Sequence, residues 1–182
     1  AGYSVQLLDM DQERLDAALA TIEKNMARQV RRTLLSDEDK AVALGRIQTS
    51  LDYASFGDCD IVIEAAAEDE SVKREIFKTL VPHLGEKTLI ASNTSSISIT
   101  RLATITDRPE RFIGMHFMNP VPMMKLVELI RGLATSDETF EEVRALAKAL
   151  GKTVSVAEDF PAFIVNRILM PMINEAVYTL YE

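Results

Sequence analysis

The chain has 182 residues, 47% hydrophobic and 26% charged, enough for one ordinary core or one domain plus part of another. Its 20 Lys and Arg against 28 Asp and Glu leave a net charge of −8, a poor basis for binding nucleic acid, which needs clustered cations. The single cysteine, Cys59, excludes an intramolecular disulfide and a cysteine-built zinc site, and no apolar run approaches the roughly 20 residues that span a bilayer.

With no signal peptide visible, the expectation is a soluble α/β protein of a reducing compartment, the cytoplasm, with no nucleic-acid or membrane partner. Tyr3-Ser4-Val5-Gln6-Leu7-Leu8 predicts a short strand ending at Asp9. From Asp11 onward Leu15, Leu19, Ile22, Met26 and Val30 recur three or four apart, one face of a long helix. Ser36-Asp37-Glu38-Asp39 reads as an N-cap and acidic first turn of a second helix, Lys40 to Gly45. Asp60-Ile61-Val62-Ile63-Glu64 predicts a buried strand bounded by acids, and residues 69–84 a helix carrying Val72, Ile76, Phe77 and Leu80.

Further strands are expected at Thr88-Leu89-Ile90-Ala91, at residues 111–116, at residues 125–129 and at Thr153-Val154-Ser155-Val156. A helix capped by Ser136 and closed by Gly151 precedes the last of them. Residues 162–181 predict one long helix, apolar on more than one side and bent at Pro171. Strands alternating with amphipathic helices imply a mostly parallel sheet with helices on both faces. A helix as apolar as the last one needs partner helices.

The seven glycines form no G-x-G-x-x-G fingerprint. Even so, the strand ending at Asp9 looks like the second strand of a dinucleotide-binding unit, whose terminal acid holds the ribose hydroxyls. The chain is therefore expected to start after the first strand, glycine loop and first helix of such a unit. Three later segments carry chemistry. Ser92-Asn93-Thr94-Ser95-Ser96 follows a buried strand, where open α/β sheets place ligand groups. Residues 114–122 end a strand in His116 and a double-proline loop, with Glu128 on the next strand. Phe160-Pro161-Ala162-Phe163-Ile164-Val165-Asn166-Arg167 opens the last helix with Asn166 inside an apolar stretch.

Proton transfer near neutral pH needs a general acid–base group. His116 suits it, because an ordinary imidazole titrates at about 6.5, near working pH. The other histidine, His83, falls late in a surface helix. Glu128 would fix the imidazole tautomer and stabilise the imidazolium, as the third member of a serine-protease triad does. Asp9 would accept the ribose diol and repel a 2′-phosphate, and Met10-Asp11 offers no arginine, which favours NAD over NADP.

The segments Ser92–Ser96, His116–Val121, Lys125–Glu128 and Pro161–Arg167, in this order, resemble the 3-hydroxyacyl-CoA dehydrogenase family, its bacterial 3-hydroxybutyryl-CoA members especially. The resemblance runs along essentially the whole chain, with one small departure: Ala162 stands where the family has the glycine of P-G-F. It implies a Rossmann-type NAD-binding domain over residues 1–159, then the first helix, residues 160–182, of an all-α C-terminal domain that forms a homodimer. It further implies that Ser95 and Asn166 bind the substrate's 3-oxygen and thioester region, and that Ser95 and Asn119 contact the nicotinamide. Glu68 and Lys73 match positions near the cofactor, and Asn25 and Arg32 match positions that bind the phosphates of CoA. Taken singly, Ser95 also suits a helix N-cap, Glu68 and Lys73 a solvated helix start, and the Arg28, Arg31, Arg32 cluster a helix-dipole complement.

The expected activity is interconversion of (3S)-3-hydroxyacyl-CoA and 3-oxoacyl-CoA. The alternatives are a dehydrogenase of another 3-hydroxy acid and a cofactor-binding structural protein of the crystallin type.

Overall fold

The computed structural model describes residues 2–182, which form two compact units meeting in sequence at Cys59 and Asp60. In the first, β1 (Val5–Leu8) leads to α1 (Gln12–Arg31), α2 (Asp37–Leu44) and β2 (Ile47–Ser50). The two strands pair in parallel, Val5 beside Ile47 through Leu8 beside Ser50. Asp11 caps α1 by accepting the Arg14 amide at 2.9 Å, and the fully buried Leu15 anchors its apolar face. Ser36 caps α2 as expected, but the helix begins at Asp37, so the three acids lie inside its first turn, where the dipole favours them. No strand was expected at β2. Its Ile47-Gln48-Thr49-Ser50 carries one strongly apolar residue, too little for an alternation to show.

The second unit runs β3 (Ile61–Glu64), α3 (Glu70–Leu80), β4 (Leu89–Ser92), α4 (Ile99–Ala103), β5 (Phe112–Phe117), β6 (Leu126–Arg131), α5 (Asp137–Ala149), β7 (Thr153–Glu158) and α6 (Val165–Tyr181). Its strands form one five-stranded sheet in the order β3-β4-β5-β6-β7. All neighbours are parallel except β5 and β6. Only the loop from Met118 to Lys125 joins those two, far too short for the crossover that a parallel pair needs.

Alternation along β5 sets the two faces. Ile113 and Met115 join Leu89, Ala91, Val127 and Leu129 against Phe140, Val143 and Ala147 of α5. Phe112, Gly114 and His116 point the other way, toward α3 and α4; Phe77 meets Phe112 edge-on with ring centroids 5.1 Å apart. Gly114 is required there, since a Cβ would lie 2.8 Å from both Ile130 Cβ and Ile99 Cδ1.

Three expectations change. Ile63 is 37% exposed, so β3 is fully buried only on the side of Val62 and Glu64, while Ile61 packs half-buried against the core. In α3 the inward face carries Lys73, Phe77 and Leu80, while Val72 is exposed. The last helix starts at Val165, not at residue 162, because Ala162 (φ 65°) and Phe163 (φ 51°) adopt left-handed backbone that no helix contains. Pro171 does lie inside α6. Among the described residues no helix is long and apolar enough to cross a membrane.

Candidate active site

The antiparallel register of β5 and β6 sets His116 directly opposite Glu128. Both side chains are buried, and Glu128 Oε2 lies 2.8 Å from His116 Nδ1. The other carboxylate oxygen, Oε1, accepts the backbone amides of Ile164 at 3.1 Å and Val165 at 2.9 Å. Glu128 thus takes the place of a capping side chain at the start of α6, where orphan amides and the dipole favour an anion. One carboxylate orients the imidazole and also docks the helix.

With its proton held on Nδ1 by Glu128, His116 presents Nε2 as the basic atom. Ser95 Oγ lies 3.1 Å from Nε2, and Asn166 Nδ2, in the first turn of α6, donates to the Ser95 carbonyl at 3.3 Å. Phe163 is buried with its ring centroid 5.9 Å from that of His116. Ser95 thus meets the basic atom of the dyad, and Asn166, far off in sequence, is tied to Ser95. Ser95 is not a helix cap: that part falls to Ser98, whose Oγ accepts the Arg101 amide.

Glu68 organises the loop that carries Ser95. Its Oε1 accepts Thr94 Oγ1 at 2.6 Å, the Ser95 amide at 2.7 Å, and the amide and hydroxyl of Ser96, each at 3.0 Å. Partial burial by itself would raise the Glu68 carboxyl, but these hydrogen bonds and the nearby Lys73 charge hold it below the ordinary carboxylate range. Lys73 has a side chain only 1% exposed, with Nζ 2.7 Å from Glu64 Oε1 and 3.6 Å from Glu68 Oε2. Lys73 is therefore no solvated helix start, whereas Glu68 is partly exposed yet bonded to the Ser95 loop.

The sequence reading missed Glu64. A strand-ending acid passes for a boundary, yet this one is buried, accepting Ser92 Oγ at 2.6 Å through Oε2 and the Ala66 amide at 2.6 Å through Oε1. It also missed Asn93, whose Oδ1 accepts the Phe117 amide at 2.8 Å and so ties β4's end to the residue after His116. Asp159, likewise unforeseen, caps α4: it accepts Ser98 Oγ at 2.7 Å and the amides of Ile99 at 2.9 Å and Thr100 at 2.8 Å. Only its pairing with polar residues some 60 positions earlier would have revealed it, and no local signal carries that.

Asn119 is exposed, two residues beyond β5, at a cis peptide bond to Pro120, and makes no hydrogen bond to the dyad, Ser95 or Asn166. The remaining sequence candidates belong to the first unit. Asp9 follows β1 directly, and its Oδ1 accepts the Met10 amide at 2.7 Å. Asn25 accepts a hydrogen bond from Arg28 on the exposed side of α1, and the exposed Arg32 is the C-cap residue of that helix.

Residues 1–160 match the family model described as 3-hydroxyacyl-CoA dehydrogenase, NAD binding domain. The chain belongs to the 3-hydroxyacyl-CoA dehydrogenase family. It is 59% identical over its whole length to a 3-hydroxybutyryl-CoA dehydrogenase of Bradyrhizobium diazoefficiens, and 48% identical to a probable one of Bacillus subtilis. It spans 62% and 63% of those two proteins. Among solved structures, (S)-3-hydroxybutyryl-CoA dehydrogenase from Ralstonia eutropha superposes with a TM-score of 0.93 at 50% identity, covering 95% of this chain and 61% of that one. The Rossmann-type fold and the NAD-binding class expected from the sequence stand on these matches.

Proposed function

We propose that the protein carrying this chain interconverts (3S)-3-hydroxyacyl-CoA, 3-hydroxybutyryl-CoA foremost, and 3-oxoacyl-CoA, with His116 as base and acid. The observation that carries the reading is the buried His116–Glu128 pair with Nε2 turned to Ser95. In the oxidising direction Nε2 takes the 3-hydroxyl proton as the carbonyl forms. Glu128, fixed by two amides of α6, stabilises the resulting imidazolium without having to move. Ser95 and Asn166 are neutral donors that polarise the substrate oxygen and do not compete for its proton.

The residues present fit a dinucleotide. Asp9 stands at the carboxyl end of a parallel strand with no hydrogen bond to Oδ2 among the described residues, a ready acceptor for the ribose diol. Ala65, Ala66 and Ala67, exposed after β3, let a cofactor approach the backbone. Bound NAD would supply the hydride acceptor. Asn119 would contact the nicotinamide and Glu68 the cofactor's approach to the Ser95 loop, while Asn25 and Arg32 would hold CoA phosphates. The domain reading assigns residues 1–159 to cofactor binding and residues 160–182 to a helical domain. The exposed apolar side chains of α6 are the basis for expecting a homodimer, and the single cysteine suits the cytoplasm.

The test is turnover of 3-hydroxybutyryl-CoA by the complete protein and two variants. A general acid–base group contributes about 10²- to 10⁴-fold, so His116→Ala should lose that much in kcat while NADH affinity changes by less than about threefold. Glu128→Gln should fold and lose a large part of the rate. Turnover at the native level in His116→Ala sinks the assignment.

A further inference from the structure

We propose that Lys152 is a positioning residue, whose ammonium pins the loop between β5 and β6 and so holds Asn119 in place for the nicotinamide. This rests on the dehydrogenase reading above. The loop, residues 118–125, joins the strand of His116 to the strand of Glu128 and carries Asn119. Pro120 and Pro122 have no N–H to donate, and Val121, Met123 and Met124 are exposed, so the loop has neither a ladder nor a core of its own. Within it the Pro120 carbonyl accepts the amides of Met123 at 2.9 Å and Met124 at 3.0 Å. The remaining hold on its middle comes from outside.

Lys152 Nζ donates to the Val121 carbonyl at 2.6 Å and to the Met124 carbonyl at 2.9 Å, and lies 5.9 Å from the centre of the Phe117 ring. An ammonium has three donors and no acceptor, so one side chain can bridge two carbonyls and still face a ring. The charge is directed at the backbone of one loop rather than at an acidic side chain. Its mount is rigid, because Lys152 stands between the last turn of α5 and the first residue of β7. Its own amide donates to the Ala147 carbonyl at 3.0 Å, and the Thr153 amide donates to the Lys125 carbonyl at 2.8 Å. At the other end of the loop the Phe117 amide donates to Asn93 Oδ1. The sheet thus fixes both ends and Lys152 the middle. The dyad does not depend on this contact: His116 and Glu128 are buried and paired across the strands, and Glu128 is bonded to α6. The effect of Lys152 therefore falls on Asn119.

The experiment compares the complete protein with Lys152→Met, Asn119→Ala and the double variant. Lys152 is only half-buried, so water can reach the two carbonyls that Lys152→Met leaves behind, and the variant folds. Amide hydrogen exchange at Met123 and Met124 should quicken by about fivefold, while the amides of Ile113 and Leu129 in the sheet keep the native rate. The dissociation constant for NADH should rise by about three- to tenfold in Lys152→Met, the share of a solvent-accessible charge-assisted contact. The acid limb of the pH profile of kcat/KM, which follows His116 in the free enzyme, should stay where it is. In the double variant NADH binding should be no weaker than in the weaker single variant, because both substitutions remove the same contact. Unchanged exchange at Met123 and Met124 overturns the proposal. So do additive losses in the double variant, or an acid limb that moves, since Lys152 would then act by a route other than Asn119. If the complete native protein binds no NADH, the functional reading fails, and the exchange measurement alone decides whether Lys152 pins the loop.

Discussion

Ala162 is a residue at which side chain and backbone disagree. Its φ of 65° lies in the left-handed region, and Phe163 follows at 51°. An L side chain there costs about 1–2 kcal/mol, and glycine avoids that cost. Against this, glycine gives back roughly 0.5–1 kcal/mol through the greater freedom of the unfolded chain. The difference favours Ala162→Gly by about 0.5–1 kcal/mol, a rise in urea midpoint at constant slope. A lowered midpoint would show that Ala162 packs better than its conformation costs. Phe163 holds its own unfavourable conformation because its ring is buried beside His116. Strain at this turn is thus compensated by the site itself. Buried and exposed ion pairs also part company at this scale. Lys78–Glu75 is more than half exposed on both sides and contributes little, whereas removing one partner of Lys73–Glu64 would strand a charge in the interior, at about 3–5 kcal/mol.

Helix ends join these elements to one another. α6 is capped by Glu128 of β6, α4 by Asp159 just after β7, and α5 ends in a Schellman turn in which Gly151 (φ 73°) donates to Lys148 and Lys152 to Ala147. The Asp159 cap makes a pH-dependent prediction. Burial alone would raise this carboxyl, but the Ser98 hydroxyl and the amides of Thr100 and Ile99 hold it below its ordinary value. A lowered native value means stability that is fully present above the ordinary carboxylate pKa and lost as pH falls through the native one. Asp159→Asn should therefore cost about 1–2 kcal/mol at neutral pH and flatten that acid slope, read from urea melts at several pH values. A variant with the native acid slope would mean other carboxylates carry it.

In the molecule as a whole, what lies unburied is as informative as the core. No residue of α6 is buried, and Ile168, Met172, Ile173, Val177 and Leu180 stand between 48% and 89% exposed. The 182-residue chain should bind an apolar-surface dye, and Met172→Glu with Val177→Glu should remove much of the signal at little cost in stability, since exposed sites change it by about 0.5 kcal/mol or less. Dye binding unaffected by these substitutions would place the apolar surface elsewhere. The sequence by itself determined the order of most strands and helices, β2 and α4 excepted, the faces set by periodicities of two and 3.6, the family motifs, and His116 and Glu128 as a candidate pair. Periodicity says which way a side chain points, but not which residue of another element it meets. Only the tertiary structure decided that β6 runs antiparallel to β5, bringing Glu128 opposite His116. It also decided that Lys73 and Glu64, charged residues which local pattern assigns to the surface, are buried together, and that Glu68 and Asp159 reach hydroxyls and amides 26 to 61 residues away. Such pairings depend on strand order and direction, which are fixed when the sheet closes its hydrogen bonds and buries both faces, and no stretch of sequence a few residues long encodes them.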